Sequence, residues 1–145
     1  MIRPGRRVKA SPGKETRTKG IFSCPVESVR EVGHRIFALR FYSPQLAQST
    51  LPGQFVNMRV GPGYVPLLRR PFSVYHVESE FVDIIFNIVG RGTEILSTKK
   101  HGDVVDVLGP LGHAFVSDTG FDTALLVGGG LGVAPLPMIT DSASR

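Results

Sequence analysis

Three runs of residues have the types and spacing to hold a phosphorylated ring compound. The first is Arg69-Arg70-Pro71-Phe72-Ser73. Arg70 offers a planar, permanent cation suited to a pyrophosphate. Pro71 fixes the backbone where a strand begins. Phe72 offers a face to a ring system, and Ser73 a donor or acceptor at the edge of that ring. A loop-to-strand junction with two surface arginines uses the same residues. The second run is Gly90-Arg91-Gly92-Thr93. Glycines ahead of a helix let backbone N–H groups approach a phosphate, and the helix start adds partial positive charge. Thr93 suits a helix cap that also touches the anion, although an ordinary capped helix has the same pattern. The third is Gly128-Gly129-Gly130-Leu131-Gly132-Val133-Ala134-Pro135. A glycine-rich turn between a strand and a helix is a common seat for dinucleotide phosphates. The strict G-x-G-x-x-G spacing is broken, because position 133 is Val, and such turns also serve packing alone.

The elements that position these runs read mainly as short strands. Segments 21–31 and 35–42 flank Gly33 as a hairpin, and Phe37, Leu39 and Phe41 alternate with Ala38 and Arg40. Residues 43–53, with Pro44, Pro52 and Gly53, read as a connecting loop, and 54–60 as another strand. Gly61, Pro62, Gly63 and Pro66 make the next loop. Strands follow at 72–77 and 81–89, joined by a polar turn at 78–80. A short helix is expected over 93–100. A last strand, 104–108, is closed by Gly109, Pro110 and Gly112. Six antiparallel strands with one short helix predict a small closed barrel, a mainly β fold. Then Thr123 to Val127 reads as a buried strand without alternation, of the parallel α/β kind, running through the glycines into a helix start. A single βα unit cannot bury its own faces, so 121–145 reads as part of a domain. The expected division is a basic tail over 1–19, a barrel over 20–120, and an incomplete α/β nucleotide-binding domain over 121–145.

The chain has 145 residues, and its 41% hydrophobic content suits a globular protein. Seventeen glycines and eleven prolines fit a fold with many turns. The formal charge of +5 is concentrated in Arg3, Arg6, Arg7, Lys9, Lys14, Arg17 and Lys19, opposed there only by Glu15. A basic tail suits nucleic acid or an anionic membrane, but no aromatic residue interleaves the charges for stacking on bases, which favours a solvated extension. Neither a nucleic-acid nor a membrane partner is expected. Cys24 is the only cysteine, so no disulfide can form within the chain, which suits a cytoplasmic, reducing setting. One thiolate cannot hold an iron–sulfur cluster. His34, His76, His101 and His113 are scattered away from metal-ligand spacing, and no metal site is expected.

Taken in order, R-P-F-S, G-x-G-T, G-D with G-P-L-G, and L-V-G-G-G-L-G-V-A-P resemble the ferredoxin–NADP reductase superfamily. The resemblance runs from about Ile21 to Ile139 and includes Pro52-Gly53-Gln54-Phe55 as the family's P-G-Q-F element. Within it, R-R-P-F-S, V-G-R-G-T and G-G-G-L-G-V-A-P-L look most like the electron-transfer subunit of two-subunit, NAD-dependent dihydroorotate dehydrogenase. The resemblance implies a barrel that holds FAD, followed by a domain that holds NAD(H). Carried over by motif, Arg70 would pair with the FAD phosphates, Pro71 and Phe72 would shape the flavin wall, and Ser73 would sit near its reactive edge. Phe86, Asn87 and Ile88 would flank the adenylate side, and Gly92 and Thr93 would bind the pyrophosphate. Gly128, Gly129, Gly130 and Gly132 would approach the nicotinamide. None of these is an acid–base catalyst, because the cofactor does the redox chemistry. The resemblance further implies a catalytic dehydrogenase subunit as partner. NAD(H) binding would need the remainder of the nucleotide domain, and the family's [2Fe-2S] cluster would have no ligands here, so full NADH-linked activity is not expected of this chain alone. Two alternatives stay open: another reductase of the superfamily, such as a ferredoxin–NADP oxidoreductase or hydrogenase diaphorase subunit, and a non-enzymatic barrel that binds nucleic acid through its tail.

Overall fold

The structure is a computed structural model that describes residues 19–61, 67–115, 123 and 125–143. Six strands form a closed barrel in the order β1-β2-β5-β4-β3-β6, every neighbour antiparallel. They are β1 (Gly20–Gly33), β2 (Ile36–Tyr42), β3 (Phe55–Arg59), β4 (Arg70–Glu78), β5 (Phe81–Asn87) and β6 (Val104–Leu111). Closure depends on the length of β1. Its first half, Gly20 to Pro25, pairs with β6, and its second half, from Val26, pairs with β2. A register shift between Val26 and Ser28 bends the strand between these two tasks.

Alternation builds the interior. Leu39 and Phe41 of β2, Val56 and Met58 of β3, Phe72 and Val74 of β4, and Val82, Ile84 and Phe86 of β5 all point inward and are buried. Two short helices close the ends. Between β2 and β3, α1 (Pro44–Ser49) drops Leu46 into one end. Between β5 and β6, α2 (Arg91–Ser97) drops Leu96 into the other. Both leucines are fully buried. The chain then forms a 3-10 turn at Gly130–Val133, lying against β5, and α3 (Pro137–Ala143), lying against β4, with Met138 in the barrel's hydrophobic cluster.

Four details differ from the sequence expectation. The loop expected over 43–53 contains α1, which starts on Ser43-Pro44, with proline at the first helical turn where its missing N–H costs nothing. In the first hairpin, Arg35 takes the left-handed conformation with φ 57°, and Gly33 ends β1. The helix expected from 93 begins at Arg91. The strand expected over 123–127 is not paired: Leu125 and Val127 are 87% and 81% exposed. An apolar run becomes a buried strand only with neighbours to complete its ladder, and the described residues supply none. No helix among the described residues is long and apolar enough to cross a membrane.

Cys24 sits inside the barrel, and burial raises its thiol from 9.0 to about 11, the nearby Ser43 hydroxyl working against this and the charge of Asp106 adding to it. The folded state thus favours the neutral thiol. The resulting stability, about 2–3 kcal/mol, is complete below pH 9 and is lost as pH rises from about 9 to about 11. Denaturant melts of the parent and Cys24→Ala should therefore diverge less at about pH 10.5 than at pH 8. Leu96→Ala should lower stability by about 2–5 kcal/mol in the same melts, because the end of the barrel cannot collapse onto the smaller side chain.

Candidate functional site

The two adjacent arginines have separate tasks. Arg69 is fastened to β6 and β3: Nη2 meets the Asp106 carboxylate at 2.8 Å, and Nη1 donates to the carbonyls of Asp106 at 3.0 Å and Asn57 at 3.3 Å. Its charge is balanced and its geometry fixed by the fold. Arg70 is half-buried at the first position of β4, where Nη1 donates to the Leu68 carbonyl. Among the described residues it makes no ion pair. Arg70 therefore keeps an uncompensated guanidinium with donors left over.

At the start of α2 the hydroxyl of Thr93 organises the turn. It accepts from the Val89 amide at 2.9 Å and the Gly90 amide at 3.3 Å, and donates to the Gly90 carbonyl at 2.9 Å. That fills its hydrogen-bonding capacity. The side chain thus shapes the loop, with its hydroxyl hydrogen committed to the Gly90 carbonyl. What α2 offers instead is backbone: the amides of its first turn, at Arg91, Gly92 and Thr93, have no carbonyl within the helix to meet. Gly92 and Thr93 are buried, whereas Gly90 and Arg91 are exposed and a Cβ on Gly90 would meet nothing within 4 Å, so the turn is open at Gly90 and Arg91.

Arg70 and this turn belong to neighbouring strands. The β4–β5 register pairs Val74 with Ile84. Continued by two residues, it sets Phe72 across from Phe86, and the two rings do meet edge to face at 5.7 Å. Arg70 opens β4 and Asn87 closes β5, and antiparallel pairing brings these two strand ends together, just ahead of Gly90. The guanidinium and the α2 amides thus share one end of the barrel. Arg35 reinforces that end: its Nη2 donates to the Ile88 carbonyl at 3.2 Å, and its own carbonyl accepts from the Ile88 amide at 3.1 Å. Sequence reasoning missed Arg35, because its role depends on a pairing 53 residues away.

The aromatic residues are placed differently from the expectation. Phe72 is 8% and Phe86 2% exposed, and Phe37 stacks on Phe86 at 5.9 Å. Their rings belong to the core, so Phe72 presents no open ring as a flavin wall and Phe86 none to an adenylate. Residues of opposite parity face outward: exposed Pro71 and half-buried Ser73 on β4, and Asn87 at the end of β5. The Asn87 Oδ1 is buried without a hydrogen-bond partner, an acceptor that costs free energy until something donates to it.

The glycine-rich turn divides in the same way. A Cβ on Gly128 would lie 2.9 Å from Cγ1 of Val133, so this glycine serves packing. Gly129, Gly130 and Gly132 face open space, and Gly130 takes φ 53°. The turn lies against β5 and the following helix against β4, the strands that carry Asn87 and Arg70. The basic run before Lys19 lies outside the described residues. Among described residues no group of His, Cys, Asp and Glu could hold a metal.

No family model matches the chain. It is 44% identical over 116 residues to the dihydroorotate dehydrogenase B (NAD(+)) electron transfer subunit of Bacillus cereus strain Q1, and equally to that of Bacillus anthracis strain CDC 684. The match covers 77% of this chain and 44% of each relative, so the chain spans less than half their length. Among solved structures, the NADH-dependent reduced ferredoxin–NADP oxidoreductase matches with a TM-score of 0.74 and 30% identity, over 83% of this chain and 44% of that one. Phthalate dioxygenase reductase shares the fold, with a TM-score of 0.65 and 24% identity over 83% of this chain and 39% of that one. The barrel is of the ferredoxin–NADP reductase type, and over the matched residues the chain is similar to the electron transfer subunit of NAD-dependent dihydroorotate dehydrogenase.

Proposed function

We propose that this chain holds FAD against the outside of β4 and β5 and serves as the flavin module of an electron-transfer subunit. The observation that carries the reading is the Arg70 guanidinium, without an ion pair among the described residues, at the same end of two neighbouring strands as the start of α2. A diphosphate suits this pair, since the guanidinium offers paired donors and the helix start offers amides and partial positive charge. The buried, unpartnered Asn87 Oδ1 supplies an acceptor at the same end of the barrel, and open Gly90 leaves room. Ser73, half-buried on the outward face of β4, is assigned to the edge of the flavin. Gly129, Gly130 and Gly132 are assigned to the approach of a nicotinamide, with the rest of the nucleotide domain supplied by further sequence. FAD would take two electrons from NADH and release them to an acceptor. The chain's own residues bind it, orient it and cover one side.

The relatives' name extends the reading to dihydroorotate oxidation in pyrimidine biosynthesis, with a catalytic dehydrogenase subunit as partner in a hetero-oligomer and a cytoplasmic setting. A ferredoxin–NADP oxidoreductase module is the second reading, supported by the likeness to the NADH-dependent enzyme. The higher identity to the dihydroorotate subunits, 44% against 30%, ranks it second. A [2Fe-2S] cluster is not assigned to this chain, whose single cysteine is buried.

The purified chain should be yellow, or take up FAD in a titration followed by flavin absorbance. Arg70→Ala should weaken that binding by about tenfold to a hundredfold, the scale of a charge-assisted hydrogen bond. A parent protein that stays colourless and ignores added FAD would sink the proposal. Thr93→Val keeps the shape of the side chain but strands the Val89 and Gly90 amides. It should cost about 1–2 kcal/mol in thermal melts and weaken FAD through the loosened turn. If it left both stability and FAD affinity untouched, the role given to the hydroxyl would be wrong.

A further inference from the structure

The Pro52-Gly53-Gln54-Phe55 run takes no part in the site described above, and its contacts lead elsewhere. Gln54 is 6% exposed. Its Oε1 accepts from the Leu51 amide at 2.9 Å, while its Nε2 donates to the Gly112 carbonyl at 3.2 Å, just beyond the end of β6. Its backbone carbonyl accepts from the Val74 amide at 3.1 Å, one residue past Ser73. Phe55, next in sequence, pairs with Ser73 on one side and Leu111 on the other. The preceding residue, Gly53, has φ 88°, and a Cβ there would fall 2.5 Å from the Phe115 ring. The Phe115 amide completes the contact by donating to the Pro52 carbonyl at 2.9 Å.

These four residues therefore grip two things at once. One is the stretch of β4 around Ser73. The other is the chain as it leaves the barrel, held at Gly112 and again at Phe115. Beyond that point the chain returns to the barrel, where α3 lies against β4 and Met138 enters the core. A buried side chain that must accept and donate together, without charge, is an amide or a hydroxyl, and the reach from Leu51 to Gly112 suits glutamine. Leucine would leave the Leu51 amide and the Gly112 carbonyl unpaired. A carboxylate would set an anion against the Gly112 carbonyl.

We propose that Gln54 is a positioning residue: it clasps the outgoing chain so that the returning segment, with the glycine-rich turn against β5 and α3 against β4, is held beside the face of β4 that carries Ser73. The proposal rests on the flavin reading only in what it says Ser73 is for.

Amide hydrogen exchange on the full chain with added FAD tests it, with Leu51 and Phe115 as reporters. Gln54→Leu should speed exchange at both amides about tenfold, the scale of one lost buried hydrogen bond, and leave the β2–β5 ladder unchanged. Gln54→Glu supplies the rescue. An ordinary glutamate titrates near 4.3 and burial raises it, so the group is neutral at about pH 5 and charged at about pH 8. The neutral acid can donate to the Gly112 carbonyl. After correction for intrinsic exchange, Gln54→Glu should match the parent at both amides at the lower pH; at the higher it should approach Gln54→Leu at Phe115 while Leu51, still donating to the carboxylate, stays protected. The visible circular dichroism of bound FAD should change in Gln54→Leu while the amount bound does not. Unchanged exchange at Phe115 in both variants would overturn the clasp. So would an equal rise across the β2–β5 ladder, which marks an ordinary core residue. If FAD binds normally and its dichroism ignores Gln54→Leu, the positioning role falls and the cofactor reading stands. If the parent binds no FAD, the cofactor reading and the role of Ser73 fall, and exchange at Phe115 still decides the clasp.

Discussion

Phe72 on β4 and Phe86 on β5 meet edge to face inside the barrel, and this contact locks the alignment of the two strands. Side chains alternate with a period of two, so a slip of one strand by one residue would send its ring into solvent and pull its outward neighbour, Pro71 or Asn87, inward. The cost of exposing a large ring, about 2–3 kcal/mol, disfavours that slip. Everything proposed for the surface inherits that precision. Arg70 stands at the strand end beside Asn87 because Phe72 meets Phe86. The core therefore decides which backbone amides a guanidinium can share a ligand with, although no core residue touches that ligand.

A second regularity runs through the candidate site. Residues of one type occur in groups, and the fold uses some members and leaves the others. Arg69 is balanced by Asp106 and hydrogen-bonded to two strands, whereas Arg70 has no carboxylate among the described residues. Gly128 is required by Val133, while Gly129, Gly130 and Gly132 border open space. The Thr93 hydroxyl is fully occupied by its own loop, which leaves only the first-turn backbone amides without a carbonyl inside the helix. Composition alone does not divide such groups. The division follows from which atoms already have partners, and buried polar groups are nearly always satisfied within the fold first.

Legibility in the sequence followed the same line. The strands were readable because Leu39 and Phe41, or Val82, Ile84 and Phe86, repeat with the period of a half-buried strand, and the glycine and proline clusters between them mark the turns. A helix of six residues such as α1 is too short to show a period, so Leu46 looked like one apolar residue in a loop. The run 123–127 has the composition of a buried strand, but a strand is made by its neighbours as much as by its residues. Phe72 was ambiguous because an aromatic beside arginine and proline suits a ligand wall as well as a core. Its parity with Val74 resolves the matter toward the core. Arg35, the open acceptor of Asn87 and the clasp of Gln54 were out of reach, since each depends on a contact between residues distant in sequence.

The filled interior limits where chemistry can occur. Leu46 and Leu96 stop the two ends, and the inward side chains of β2, β3, β4 and β5 leave the barrel no room for a cofactor. A ligand of this chain must lie on the outside, where a barrel offers little but backbone edges, outward side chains and the loops at its ends. Of these, the end shared by β4 and β5 combines a cation, helix-start amides and an unmet acceptor. The returning C-terminal segment docks on the same two strands. Electron transfer through a bound cofactor asks little of acid–base side chains and much of fixed distances. On the proposed reading, a stiff barrel with the cofactor outside and the outgoing chain tied back beside it answers that demand with backbone geometry.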